Sequence, residues 1–313
     1  MRPTPDVEKP GFNIEFDFRT DISEAQLEGL ELARKRWTSV IVKDHAAAVC
    51  IPAGTFFSCG FGLARTMCVD DLLIGVGIQE MDGPGQVAGG GGPCAADRLG
   101  NVRVGVIVFD QADAELLIEM GSWEQAITHE IGHVLGLGTM WEYYQRLIPP
   151  ASDSPPYYYM GENGNAALNT LLNTQDEKII IEDKGGRGTA RAHWKENVYG
   201  SEVMTGHLQG DGAFMPLSLL SIRALEDLGY VVDVTKADPY EVPKQDSSSN
   251  RRLRAGQKQD KPRVQLKYDV LGADIDTLDE STLVVKPGRE QDLEDDKAKF
   301  EVRRRRLSSS ATN

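Results

Sequence analysis

The chain of 313 residues lacks any long apolar run, and it is poor in basic residues and in cysteine. A membrane-spanning helix needs about 18 or more consecutive apolar residues, so no transmembrane segment is predicted. Acidic residues outnumber basic ones by 48 to 34, and residues 1–236 alone hold 33 acidic and 18 basic residues. Because such a surface repels phosphate, we exclude nucleic acid as a partner.

Only four cysteines occur, within 45 residues of one another, and none forms a CxxC pair: Cys50, Cys59, Cys68 and Cys94. This spacing is unlike that of a structural zinc site and predicts two disulfides formed in an oxidising compartment. Four buried thiols are the alternative, and more than one disulfide pairing is compatible with the sequence. Residues Met1–Pro5 are polar, without the apolar segment of a signal peptide, which indicates either a cytosolic or a trimmed chain.

Apolar patterns predict a mixed α+β fold. Three segments have strand patterns: Phe12–Phe18, Leu72–Met81 and Val102–Asp110. A capping box of Ser23 and Gln26 opens a helix over Ser23–Ile41, and a proline-led pattern predicts another over Pro216–Leu228. The glycine-rich segment 83–93 lacks the Gly-Lys-Ser/Thr ending of a phosphate-binding loop, so it predicts a flexible loop.

A further helix is predicted to begin at Ser122, which forms a capping box with Gln125, and to end at Gly136. It contains the HExxH motif of residues 129–133. Residues i and i+4 face the same side of a helix, so His129 and His133 can reach one metal ion. The motif places Glu130 beside a zinc-bound water, whose pKa zinc lowers to about 7.

A catalytic zinc needs a third protein ligand and one open position. The compact metzincin pattern would put a third histidine at residue 139, where this chain has Thr139. Three other histidines remain. We expect His45 to be an ordinary surface residue, which leaves His193 and His207 as candidates.

Further motifs follow in order: Gly136 after HExxH, His193-Trp194 after the glycine-rich stretch 185–188, and Met204 eleven residues after His193. With these motifs the chain, from about Phe12 to Val234, resembles the leishmanolysin family of metzincin zinc peptidases. The resemblance implies His193 as the third zinc ligand and Met204 as the methionine-turn residue beneath the metal. His207 follows Met204, which is the wrong order for the third ligand, so we expect it to line the site or the surface. It also implies a metzincin-like fold, with a mixed twisted sheet, an HExxH helix and a loop-rich C-terminal subdomain.

The sequence and the resemblance together predict a zinc-dependent endopeptidase with one catalytic Zn²⁺ and protein or peptide substrates. Glu130 would assist the attack of zinc-bound water, and Val102–Asp110 could offer a sheet edge to the substrate. A non-catalytic zinc-binding adhesion domain is the alternative. Two other possibilities are a zinc peptidase of another class, with Glu162 or Glu196 as third ligand, and a chance HExxH in an unrelated α+β protein.

Residues 1–236 are predicted to form the catalytic domain, with an N-terminal subdomain of about 12–138 and a C-terminal subdomain of about 139–236. Residues 237–313 are charged and poor in aromatics, so we predict a mostly disordered tail, with one strand over Val264–Val270. Family members usually carry a propeptide and are secreted or held at the cell surface. The sequence shows no propeptide cysteine, but its cysteine cluster favours an extracellular or cell-surface location.

Overall fold

The structure is a computed structural model that describes residues 11–142, 147–148, 154–186, 188–208, 212–244, 264–265, 275–278, 283–285 and 289–309. Its main sheet has five strands, in this spatial order: β1 (Ile14–Phe18), β4 (Leu72–Gln79), β6 (Val102–Asp110), β5 (Gly89–Ala96) and β11 (Asp276–Thr277). Strands β1, β4 and β6 run parallel, whereas β5 is antiparallel to β6. The predicted mixed α+β architecture is therefore present.

A smaller sheet lies beside the main one, with strands in the order β12 (Leu283–Val285), β2 (Ala47–Ile51) and β3 (Met67–Val69). Two disulfides brace this region, as predicted. Cys50–Cys68 joins β2 to β3, and Cys59–Cys94 joins the intervening loop to β5. Both therefore hold together the part of the protein that precedes the HExxH motif.

Three helices pack near the main sheet: α1 (Glu24–Val40), α2 (Gln111–Glu119) and α3 (Trp123–Val134). The capping box of Ser23 and Gln26 opens α1 as predicted. The prediction of a second capping box, at Ser122, is wrong, because the Ser122 side chain makes no cap hydrogen bond. The amide oxygen of Gln125 instead accepts from the Met215 N–H at 2.7 Å, which ties α3 to a segment far along the chain.

The later part of the chain contains these elements: β7 (Tyr157–Tyr158), α4 (Glu162–Leu172), β8 (Ile180–Ile181), α5 (Glu196–Tyr199), β9 (His207–Leu208) and α6 (Leu219–Leu228). Helix α6 begins after Ser218 rather than at Pro216, because the Ser218 hydroxyl accepts the Leu220 N–H and caps the helix. It ends at Gly229, which has a φ of 104°, as the sequence predicted.

The glycine-rich segment differs from its prediction, because residues 89–96 form β5 rather than a loop. A Cβ at Gly91 would lie 2.9 Å from the carbonyl oxygen of Glu130, and one at Gly105 of β6 would lie 2.3 Å from Val134. Glycine normally weakens a strand, but here it allows the sheet to approach α3 closely. The glycines therefore reflect packing of the sheet on the HExxH helix.

The prediction that Val102–Asp110 offers a free edge is also wrong. This strand is β6, which lies between β4 and β5, so both of its edges are paired. Its backbone groups are already used within the sheet. The outer strand on this side is β5, whose far edge pairs with β11 only at Ala95 and Ala96.

Several stretches of residues 237–313, which we predicted to be mostly disordered, form strands or helix. Strands β11 and β12 extend the two sheets, β10 (Val264–Gln265) pairs with β9, and α7 (Glu290–Ser309) follows. Asp296 on α7 pairs with Lys43 at 2.8 Å, so opposite charges fix this charged stretch to the preceding domain. Residues 266–270 of the predicted strand lie outside the described residues. Among the helices that the structure describes, none is long and apolar enough to span a membrane.

Candidate metal centre

Two helix positions and one loop position bring three imidazoles together. His129 and His133 lie one turn apart on α3, with ring centroids 4.5 Å apart. His193 lies between β8 and α5, and its ring centroid is 5.1 Å from that of His129. All three side chains are fully buried. Within the described part of the chain, no other group of three or more metal-ligating side chains is so close together.

A backbone carbonyl holds the Nδ1 atom of each imidazole. His129 Nδ1 lies 2.6 Å from the Val203 oxygen, and His133 Nδ1 lies 2.8 Å from the Leu137 oxygen. His193 Nδ1 is 2.9 Å from the oxygen of Thr189. Because a carbonyl oxygen only accepts, each Nδ1 carries the hydrogen, and each Nε2 of a neutral ring is left with a free lone pair.

The three Nε2 atoms point at one another across 2.9, 3.0 and 3.2 Å. They cannot form hydrogen bonds among themselves, because none of them carries a hydrogen in this tautomer. A tetrahedral zinc with Zn–N bonds of about 2.0–2.1 Å would separate its nitrogen ligands by about 3.3 Å. The donor set and its spacing therefore fit a zinc ion.

Burial keeps these imidazoles neutral, which is the form that binds metal. It lowers the pKa of His129 to about 3, with a further lowering from the nearby His193. Burial also lowers the pKa of His193 to about 4 and that of His133 well below its ordinary value. At neutral pH no proton competes with a cation for the three Nε2 atoms.

Glu130 follows His129 on α3 and is fully buried. Neither of its carboxylate oxygens has a hydrogen-bond partner among the described residues, and burial raises its pKa well above the ordinary value. A cation bound at the three Nε2 atoms would favour the ionised carboxylate. An unpaired buried carboxylate is costly to keep for stability alone, and perturbed groups of this kind cluster at functional sites.

The turn after α3 brings His133 close to the segment that carries His193. Gly138 has a φ of 79°, and a Cβ there would lie 2.0 Å from the carbonyl oxygen of Ala192. Thr139, at the position of the compact pattern's third histidine, donates its hydroxyl hydrogen to the His133 carbonyl at 2.7 Å. This residue therefore secures the end of α3.

Met204 is buried directly beneath the two helix histidines. Its sulfur would lie 2.6 Å from a Cβ placed at Gly132, the residue just before His133. Val203, whose carbonyl holds His129, immediately precedes it. The peptide around Met204 therefore both supports α3 and fixes one imidazole.

A comparison with known protein families matches the part of the chain that contains this site. A model of the leishmanolysin family matches residues 67–246, which is more than half of the chain. The chain belongs to the leishmanolysin family. Membership implies a zinc metallopeptidase, and the matched segment contains the three histidines, Glu130 and Met204. No match was found among curated proteins.

Sequence reasoning missed a buried carboxylate in this leishmanolysin-family chain. Glu202 is fully buried, and one of its oxygens accepts from the backbone N–H of Met204 at 2.6 Å. The other oxygen accepts from the hydroxyls of Ser218 and Ser221, each at 2.7 Å, and from the Ser218 N–H. Its only sequence signal is an acidic residue two positions before Met204.

The remaining sequence candidates are not members of the three-histidine group. Glu162 and Glu196 are not in it, which weakens the other zinc-peptidase class. His207 is partly buried, with Nδ1 3.6 Å from a carboxylate oxygen of Glu196. His45 is half-buried rather than on the open surface, and its ring packs edge-on against Phe12.

Proposed function

We propose that this leishmanolysin-family chain is a zinc-dependent endopeptidase with one catalytic Zn²⁺. His129, His133 and His193 would hold the ion, and Glu130 would be the catalytic base. The observation that carries the proposal is the convergence of three Nε2 atoms whose Nδ1 atoms are all tied to carbonyls. Second-shell hydrogen bonds of this kind orient metal-ligating histidines.

Zinc, when bound, supplies a Lewis acid that polarises a peptide carbonyl and makes water more acidic. Glu130 takes the proton of the attacking water on a carboxylate oxygen and then donates it to the leaving amine. The burial of Glu130 suits both steps, because a carboxylate with a raised pKa readily holds a proton between them. Since all four side chains are fully buried, a substrate reaches them only after the surrounding chain moves.

We place the substrate along the outer edge of β5. In the part of the chain that the structure describes, no strand pairs with this edge from Gly89 to Pro93. A Cβ at Gly91 would lie 3.0 Å from a carboxylate oxygen of Glu130, so this edge passes beside the proposed base. Extended peptides commonly bind by adding a strand to such an edge.

We propose the subdomain boundaries that the sequence predicted. The ligands on α3 belong to residues 12–138, and His193 and Met204 belong to residues 139–236, so we propose that the metal joins the two parts.

The two disulfides favour an oxidising environment and hence an extracellular or cell-surface location.

A non-catalytic zinc-binding domain is the second candidate, because the three histidines alone would suffice for it. Glu130 argues against this candidate. A structural zinc site needs no base, whereas this carboxylate lies buried and without a described partner next to the ligand His129.

Substitution of Glu130 by glutamine tests the proposal, because glutamine keeps the shape but cannot accept the proton. We expect unchanged zinc content, measured by elemental analysis, and loss of casein hydrolysis by about 10²-fold or more. Glu124→Gln is the matched control, since it makes the same change at an exposed position of α3 and should keep full activity.

A second variant, His193→Ala, separates the candidates. Loss of both zinc and hydrolysis supports the proposed ligand set. If the wild type binds zinc but cleaves no unfolded protein or peptide, the binding-domain alternative is correct. Hydrolysis by Glu130→Gln at the wild-type rate would refute the assigned base.

A further inference from the structure

We propose that residues Ile275–Leu278, which we call the strap, set the length of the substrate groove on one side of the scissile bond. This inference rests on the proposed function and on substrate binding along β5. The strap lies outside the segment that matches the leishmanolysin family, which ends at residue 246. It is therefore a feature of this chain beyond the matched segment.

The strap occupies one end of the edge that we assign to the substrate. Its strand β11 runs parallel to β5, with Asp276 beside Ala95 and Thr277 beside Ala96. The Leu278 N–H donates to the Ala96 carbonyl at 2.9 Å. A second strand cannot use the same backbone groups, so a substrate strand on β5 must end before Ala95.

Side-chain contacts fix the strap in place. The Asp276 carboxylate accepts from the Ser58 N–H at 2.7 Å and from the Ser58 hydroxyl at 3.0 Å. Ser58 precedes Cys59, whose disulfide to Cys94 ties the same loop to β5. Leu278 is 9% exposed and packs in the small hydrophobic cluster that contains both cysteines. The strap is thus anchored to the strand that it blocks.

The distance from the proposed base to the strap sets the number of substrate residues. Gly91 lies against Glu130, and Ala95 is four residues further along β5. At about 3.3 Å per residue, the stretch of β5 between them, with which no strand pairs among the described residues, is about 13 Å long. On this side a bound peptide can therefore pair about four residues, and additional residues form no further ladder hydrogen bonds.

The expected substrates are extended peptides that gain nothing from residues beyond the fourth on one side. On the other side of the scissile bond the strap imposes no such limit. As peptides are lengthened, kcat/KM would therefore reach a plateau on one side of the scissile bond and not on the other.

A series of peptides, lengthened one residue at a time from either end of a cleaved core, tests this limit. For the wild type we expect kcat/KM to stop rising at about four residues on one side. In Asp276→Ala and in Leu278→Ala, the strap is loosened, and we expect a further rise of about fivefold for each added backbone hydrogen bond. Asp296→Ala is the control, because it breaks the contact of α7 with Lys43 and leaves the strap untouched.

A binding measurement with Glu130→Gln makes the test independent of turnover. The anisotropy of labelled peptides should show the same plateau in this background and its loss when Asp276→Ala is added. If Leu278→Ala does not fold, Asp276→Ala alone carries the test.

The outcomes separate the two proposals. The strap proposal is overturned if the wild type cleaves peptides with no plateau of kcat/KM on either side. It is also overturned if both strap variants keep the plateau. If the strap variants raise kcat/KM equally for short and long peptides, the proposal is also overturned, because the strap would then obstruct the site for every substrate. Failure to cleave any peptide at all contradicts the proposed endopeptidase function instead.

Discussion

Two regions of the molecule meet at the three-histidine group, and each is stabilised by a different kind of interaction. The region of β2, β3 and β5 is braced by two disulfides and a small hydrophobic cluster. The region that carries His193 and Met204 contains no cysteine and is organised around the buried carboxylate of Glu202. The comparison teaches that a polar network stabilises the segment around Met204, whereas covalent links stabilise the sheet behind α3.

The largest effect is expected from Glu202→Ala, which removes the acceptor of four hydrogen bonds. Four donor groups, on Met204, Ser218 and Ser221, would be buried without their acceptor, and we expect a loss of about 3–5 kcal/mol in the free energy of unfolding. Zinc affinity should fall as well, because the adjacent Val203 carbonyl holds His129. Urea unfolding and zinc titration measure the two effects.

Glu202→Gln refines this prediction. An amide oxygen in place of Oε1 keeps the three bonds from Ser218 and Ser221, while the amide nitrogen faces the Met204 N–H and cannot accept from it. We expect a smaller loss of stability than in Glu202→Ala but a clear loss of zinc affinity. Glu226→Gln, on the partly exposed side of α6, is the control. Normal zinc affinity in both Glu202 variants would show that this carboxylate does not position the ligands.

The next effect is expected from removing a disulfide in the other region. Replacing Cys59 and Cys94 by serine opens a link across 35 residues, against 18 for Cys50–Cys68. Loop entropy predicts losses of about 4 and about 3 kcal/mol, respectively. Unlike the Glu202 variants, the folded disulfide variants should still bind zinc with wild-type affinity. A fall in zinc affinity equal to that of Glu202→Ala would mean that the two regions are not held independently.

The smallest effect is expected for the pH dependence of the free energy of unfolding that arises from His193. Burial lowers the pKa of His193 from 6.5 to about 4, so the unfolded chain binds its proton more tightly than the folded chain does. Stability should therefore fall as pH decreases from about 6.5 to about 4, by about 1.4 kcal/mol per pH unit for this residue.

This pH dependence is measured on metal-free protein by urea unfolding. The Glu130→Gln background is used because the raised pKa of Glu130 opposes the histidine effect. In that background the free energy of unfolding of His193→Asn should depend less steeply on pH. The difference in slope should correspond to the uptake of one proton on unfolding. Identical slopes with and without His193 would contradict the lowered pKa.

The sequence was informative where local spacing decides geometry. HExxH places two imidazoles on one face of α3 because the helix repeat requires it, and Gly229 ends α6 by taking a positive φ. The choice of His193 depended on family resemblance, since some sixty residues separate it from His133. The structure brings all three imidazoles together, while their role as zinc ligands stays a prediction.

The sequence failed where tertiary packing overrides local preference. The glycines of β5 are typical of a loop, but they lie in a strand because α3 leaves no room for a Cβ at Gly91. Gln125 bonds to Met215 instead of forming a capping box, and that partner is 90 residues away. Glu202 could not be recognised, because its partners on α6 meet it only in the folded chain.

The glycines of β5 also determine what kind of information the groove can read. From Gly89 to Gly92 the strand has no side chains, so it presents only amide hydrogens and carbonyl oxygens. A peptide lying there would be held by its main chain, which is the same for every amino acid except proline. Next to the proposed base, recognition by this strand would therefore respond to the extended shape of a peptide and not to its sequence, and any preference for particular residues must come from other walls of the groove.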